Sequence, residues 1–256
     1  MAALVRRHDP DRFLAALFAP AVRRDTLLTL YAFNHELARA REAAREPTLA
    51  LIRLHWWREV VAGAHRRHEV AGPLAEALAD GRLARADLAA MVDGREPEAA
   101  PAIATWAHWQ DYVRGTAGAL ALAAGRALGA DGAVLARIAD LGTAYGVAGQ
   151  LRNIGALARQ GRCLLPRDRL DAHGLTAATV IAQPQAAGLR PVQDELAVWG
   201  RALLAEAGGP LPRDVLAAAL PAVLARRDLR QPGAAPRPRG VAAQVAVLAA
   251  FLAGRV

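Results

Sequence analysis

The chain reads as an all-α, single-domain helical bundle, and three observations predict it. Alanine and leucine dominate a composition that is 54% hydrophobic, and both are strong helix formers. Valine, isoleucine and threonine are sparse, and no stretch alternates at period two, so strands are not expected. Proline and glycine recur at intervals that cut the chain into helix-length pieces. No internal repeat or low-complexity linker divides these pieces, so residues 1–256 are expected to share one core, which a chain of this length can build.

Taken in order, helices are expected over Asp11–Phe18, Ala21–Arg45, Thr48–His68, Pro73–Ala79, Arg85–Val92, Ala100–Leu128, Gly132–Asn153, around Val180, Leu189–Ala207, Arg213–Arg227 and Gly240–Ala253. Asp25 suits the positive end of the second helix. Pro47 separates the second from the third, and Gly129 ends the long central helix as glycine does after a last turn. Gln231–Gly240 reads QPGAAPRPRG, whose prolines cannot continue a helix, so a surface loop is expected there. Long helices with short connections give a bundle, and bundles of this size enclose apolar cavities between facing helices. Gly115, Gly118, Gly125, Gly142, Gly146 and Gly149 either let helices approach or leave room for such a cavity.

Formal net charge is +8, and all 32 basic residues are arginine. The arginine-for-lysine bias fits an alanine- and arginine-rich composition throughout. A basic surface also suits phosphate or anionic lipid, which leaves a peripheral membrane contact open. No run of five arginines and no nucleic-acid motif occurs, so a nucleic-acid partner is not expected. A single cysteine, Cys163, excludes a disulfide framework and points to a reducing compartment. It stands ahead of Leu164-Leu165 and is expected to begin a buried segment. The early charges Arg6, Arg7, Asp9 and Asp11 are unlike a signal peptide. Together these features suggest a cytoplasmic protein, peripheral at the inner membrane if it meets a membrane at all. The most apolar stretch, Val241–Ala253, is shorter than the ~20 residues a span requires; a buried terminal helix is expected, with an interfacial helix as the alternative.

Three blocks carry the motifs. The first is FLAALFAPAVRRDTLLTLYAFNHELARAREAAR, from Phe13 to Arg45. The second is HWWREVV, from His55 to Val61. The third joins GQLRNI, GRCLLPRDRL and HGL between Gly149 and Leu175. Together, in this order and spacing, they resemble the squalene/phytoene synthase family across nearly the whole chain. The resemblance implies the isoprenoid synthase type of bundle, with a central cavity.

Family enzymes join two prenyl diphosphates head to head, and magnesium neutralises the departing diphosphate. Carboxylates at i and i+4 on two facing helices supply the oxygens on one face. The first aspartate-rich motif would fall on Ala38, Arg39 and Glu42, where one carboxylate remains and Arg39 and Arg41 bring positive charge. The second would fall between Asn153-Ile154 and Gly161-Arg162. There the interval holds GALARQ, no carboxylate, and is four residues shorter than in the family, about one helical turn.

This pattern, with AFNHELAR, MVDGREPE from Met91 to Glu98, and the shortened LRNIGALARQGR, resembles the non-enzymatic branch of the family. That branch includes a mitochondrial respiratory complex I assembly factor and bacterial relatives. The resemblance implies a pseudoenzyme with a protein partner in respiratory-complex assembly, with no catalytic residue, no metal and no cofactor. The alternative is a divergent prenyl-diphosphate-binding enzyme, a head-to-head prenyltransferase using magnesium, or an isoprenoid- or quinone-binding protein. Fold alone does not decide between them.

Ligand or cavity candidates follow. Glu36, Glu42 and Asp140 would form a reduced carboxylate set. Arg39, Arg152 and Arg159 could grip phosphate with their guanidinium forks, as could Arg23, Arg24 and Arg162. Tyr31, Asn34 and Asn153 lie in the matching blocks, and Trp57 could line a prenyl or quinone pocket, although aromatics at helical spacing are more often core. Arg152, inside an apolar helix, needs a partner; Glu36, Glu42 or Asp140 are the expected ones. His55 with Glu59 and His65 with His68 have a zinc-like spacing, but no further ligands lie near in sequence, so surface histidines are expected.

Overall fold

The computed structural model describes residues 1–42, 46–233 and 238–256, the side chain of Glu42 excepted. Among them the elements are helical. They run α1 Ala2–His8, α2 Pro10–Ala16, α3 Ala21–Glu42, α4 Pro47–Ala62, α5 Ala71–Ala79 and α6 Arg85–Asp93. A 3-10 turn follows at Glu96–Ala99, then α7 Trp106–Val113, a π-helical turn Arg114–Gly118, α8 Ala119–Ala127 and α9 Gly132–Arg159. The rest are α10 Arg167–Ala172, α11 Ala177–Ala182, a 3-10 turn Ala187–Leu189, α12 Arg190–Ala207, α13 Leu216–Ala219, α14 Pro221–Asp228 and α15 Val241–Ala253. No strand occurs among the described residues; two isolated bridges, Ile103 with Pro166 and Pro210 with Arg255, are the extended pairings.

The boundaries differ from the sequence expectation where a local signal or a distant partner overrides propensity. The third expected helix stops at Ala62, because Gly63 takes the left-handed conformation that closes α4. The alanine-rich run from Ala100 is not helical. Ile103 and Ala104 instead accept hydrogen bonds from the backbone of Arg167 and Asp168, and α7 begins only after Thr105, whose hydroxyl accepts from His108 N–H. Helix α9 runs past Asn153 to Arg159, and Pro221 divides the expected Arg213–Arg227 helix into two. Asp25 lies beyond the first turn of α3. Helix α1 was not expected; its Val5 is fully buried. Residues 234–237 of the expected Gln231–Gly240 loop lie outside the described residues.

Helix α9 is the axis of the molecule. Leu135, Ile138, Leu141, Val147, Leu151 and Ile154 bury one face of it, at the spacing an α-helix imposes. It packs against α8, the π-helical turn, α12 and α14. The crossing with α8 is close because small residues meet there. A Cβ on Gly142 would run into Ala121, and one on Gly146 would stand 2.5 Å from the Ala117 methyl. Gly118 and Gly125 are similarly hemmed in, whereas Gly149 has nothing within 4 Å. Here the glycines serve close packing rather than a cavity.

Helix α1 is held to α3 partly by the stacked imidazoles of His8 and His35, 4.1 Å between centroids. Burial, then the neighbouring His8, lowers the pKa of His35; Glu36 and Asp9 oppose this, and Arg39 adds to it. A depressed histidine contributes stability above its ordinary value of about 6.5 and loses it as pH falls through the lower folded value. The protection of the amides of residues 2–8, measured against their intrinsic exchange rates at each pH, should therefore fall from pH 7.5 to 5 more than elsewhere, and His35→Phe should flatten that fall. An unchanged pH response in the variant would show that the stack is not the cause.

Candidate functional site

The sequence candidates separate into four places. The first is a buried polar network in the middle of the bundle. Asn34, on α3, accepts from Arg95 Nη2 at 3.0 Å. Arg95 Nη1 donates to Glu98 at 2.7 Å, Tyr112 OH donates to the same Glu98 oxygen at 2.8 Å, and Arg162 Nη2 donates to the other oxygen at 3.2 Å. Gln150, from α9, donates to Tyr112 OH at 3.3 Å, and Arg41 Nε donates to the Glu98 backbone carbonyl at 3.2 Å. Glu98 is only 5% exposed. A carboxylate this deep must be paired, and it is held by two guanidiniums and a phenol. Burial, reinforced by the Glu98 charge, pushes the Tyr112 phenol well above its ordinary pKa, so it stays a hydrogen-bond donor.

The second place is an open groove of about 350 Å³ beside α3 and α4, lined by Glu36, Arg39, Ala40, Arg53, Trp56, Trp57 and His68. Three candidates, Glu36, Arg39 and Trp57, meet here. Trp57 is nearly buried and stands edge-on to Phe33, Trp56 and His68. Glu36 pairs with Arg39 at 3.0 Å and lies 3.8 Å from His68. Arg53 is exposed at the mouth.

The third place surrounds Tyr31. Here Tyr31, Arg12, Tyr145, Ala121, Gly142, Ala218, Ala219 and Ala222 line a void of only about 10 Å³. Burial raises the pKa of Tyr31 and Tyr145, and Tyr145 donates to Asp11 at 3.0 Å. The fourth is a cleft where Arg152 Nη1 meets Asp228 at 3.1 Å. Asp228 and Asp11 are both gripped by Arg239. Among the described residues Asp228 partners Arg152, not the expected Glu36 or Asp140: α14 packs against α9, a contact invisible in local sequence, and the side chain of the third expected partner, Glu42, lies outside the described residues.

The remaining candidates stand apart. Asp140 is half-buried, with burial raising its pKa against the pull of Arg114; Glu206 adds to the rise. Its charged neighbours therefore differ from those of Glu36, and the two do not form a reduced carboxylate set. Asn153 and Arg159 are exposed on α9. The Glu42 side chain lies outside the described residues. The zinc-like pairs do not converge: His55 neighbours Glu59, at 3.9 Å, while His68 faces Glu36 and His65 is exposed.

Glu98, Arg95 and Tyr112 were not among the sequence candidates. The available signal was the i, i+3 spacing of Arg95 and Glu98 inside the MVDGREPE block, which places opposite charges on one side of a turn. A third cluster of aromatics, Trp106, Trp109 and Trp199, packs with centroids 5.2–5.7 Å apart and is capped by Arg114 and Arg169. Trp109 is core, and the partly buried Trp106 and Trp199 pack against it. Cys163 is buried as expected, and burial raises its thiol pKa.

Among the described residues the donor set does not fit a magnesium–diphosphate centre. Both oxygens of Glu98 are committed to guanidiniums and a phenol, and Asn34 is committed to Arg95. Magnesium demands free hard oxygens in octahedral array. Among the described residues no group of three histidine, cysteine, aspartate or glutamate side chains could hold a metal ion.

Comparison with known proteins agrees with the fold. The family model for squalene/phytoene synthase matches residues 5–248. The mouse protein "NADH dehydrogenase (ubiquinone) complex I, assembly factor 6" is 26% identical over 227 residues, which cover 86% of this chain and 68% of that protein. The bovine protein of the same name is 26% identical over 204 residues, covering 76% of this chain and 60% of the bovine protein. Among solved structures, the squalene synthase HpnC from Alicyclobacillus acidocaldarius superposes with a TM-score of 0.72 at 20% identity, over 92% of this chain and 93% of that one. A ligand-bound dehydrosqualene synthase superposes with a TM-score of 0.79 at 17% identity, over 98% of this chain and 94% of that one. At these identities the two structures speak for the fold alone. With the family model matching almost end to end, the chain belongs to the squalene/phytoene synthase family.

Proposed function

We propose that this protein is a non-catalytic member of its family and acts as an assembly or interaction factor for respiratory complex I or a related membrane complex. The observation that carries the reading is the state of the central network. Where a synthase needs carboxylates free for cations, the two buried carboxylates among the described residues are both engaged, Glu98 locked between Arg95 and Arg162 and Glu36 paired with Arg39. Both aspartate-rich motifs are missing from the sequence, and the void at Tyr31 is too small for a prenyl chain. The likeness to the mammalian assembly factors supports a protein partner. We place its work in the cytoplasm, peripheral to the inner membrane; no helix among the described residues is long and apolar enough to cross a membrane.

One observation favours a ligand as well. The groove at Trp56, Trp57, Arg39 and Arg53 combines an aromatic wall with cationic groups, which suits an isoprenoid or quinone-like lipid bound without turnover. The deciding experiment is diphosphate release from farnesyl or geranylgeranyl diphosphate with magnesium. The expected result is no release above the protein-free blank from folded protein. Release abolished by Glu42→Ala would establish a divergent prenyltransferase instead. Deleting the gene should then lower assembled complex I; normal assembly would remove the partner role.

A further inference from the structure

We infer that the outer face of α15 is the surface by which the protein docks on an anionic lipid bilayer. This rests on the peripheral-membrane reading above and assigns it a place. Val241, Val245, Leu248 and Leu252 are 73%, 56%, 44% and 62% exposed. They follow one another at i, i+4, i+7 and i+11, a single stripe along the helix. The opposite face, with Ala243 and Val247, is buried against the body. Single exposed aliphatics need no explanation, but four in register form a contiguous patch of the kind that marks an interaction site. At its C-terminal end the patch continues through Phe251, which meets Phe18 at 4.8 Å, toward the exposed Leu17.

The charges around the stripe identify the occupant. Helix α15 carries no charged residue, and Leu229–Val256 contains no aspartate or glutamate. Arg213 lies over Phe251 and donates to the Leu252 carbonyl at 3.3 Å, and Arg255 is exposed just beyond Gly254. At the other end Arg227 and Ala242 line the same cleft. Two acids lie at that end and both are already held by arginine, Asp228 by Arg152 and Arg239 and Asp11 by Arg239; at the other end Asp214 stands beside Arg213 in sequence. An apolar stripe flanked by arginines is the arrangement of a helix lying in the plane of a bilayer, with its aliphatics among acyl chains and its guanidiniums at phosphates. A second copy fits less well. A two-fold contact through the same stripe would set one arginine rim against the other.

The test is co-sedimentation of the full chain with vesicles of phosphatidylcholine, with and without phosphatidylglycerol. Binding is expected to the anionic vesicles and to weaken with salt, because the Debye length shortens. The double variant Val245→Glu, Leu248→Glu should lower the partition coefficient at least about ten-fold. Its melting temperature should not change, since both side chains are solvent-exposed. Val198→Glu, an exposed position on α12, controls for added negative charge and should have a smaller effect. Failure of the wild-type chain to bind anionic vesicles would overturn both this surface and the peripheral-membrane reading. Binding unaffected by the double variant would overturn the surface alone. A wild-type dimer that the double variant dissociates would assign the stripe to a second copy and overturn the proposal.

Discussion

Replacing Glu98 with alanine should destabilise the protein by about 3–5 kcal/mol, because removing one partner of a buried ion pair leaves uncompensated charge behind. Two guanidiniums, Arg95 and Arg162, would lose their carboxylate together, and Tyr112 would lose its acceptor. For a chain of this size that corresponds to a fall in melting temperature of roughly 10 °C. Glu98→Gln should be nearly as costly, since it keeps an acceptor for Tyr112 but abolishes the charge. The triple variant Arg95→Met, Glu98→Leu, Arg162→Met should recover much of the loss, as well-packed apolar groups often replace buried ion networks without penalty. Denaturant titration of the four proteins measures each step. A Glu98→Ala midpoint close to wild type would show that water reaches the network and that the interior is more open than the geometry implies.

Trp109→Ala should cost a similar amount, about 3–5 kcal/mol, by the loss of a large buried ring and the cavity left behind. Trp109 is fully buried and touches both Trp106 and Trp199. Its indole N–H has no hydrogen-bond partner. Trp109→Phe should therefore be far milder, under about 1.5 kcal/mol, because it keeps an aromatic ring and removes an unsatisfied donor. Circular dichroism during denaturation distinguishes the two. Equal losses for alanine and phenylalanine would mean that the indole N–H is satisfied in solution, by a water or by movement of a neighbour.

These two sites also show what could be read in advance. The helical class was legible because composition and punctuation act locally. Pro47 opens α4 and Gly129 follows α8 as their residue types dictate, whereas Gly63 ends α4 where the sequence expectation ran the helix on to His68. The start of α7 was not legible. Ala100–Thr105 has helix-forming residues, but Ile103 and Ala104 are claimed by the backbone after Pro166, more than sixty positions away. That residues 141–167 hold no aspartate or glutamate was plain in the sequence. The Glu98 network was not, since Glu98 acquires its meaning from Arg162 and Tyr112, which only folding brings near. Arg152 was correctly read as needing a partner, yet α14 supplied it through Asp228.

The buried thiol of Cys163 has a use outside the protein's own chemistry. It is the one cysteine in the chain, it is 5% exposed, and burial holds it in the unreactive protonated form. A thiol reagent can reach it only when the segment leading to Leu165 parts from its neighbours. The alkylation rate of the unmodified protein therefore counts how often that part of the molecule opens, a clock that needs no label and no mutation.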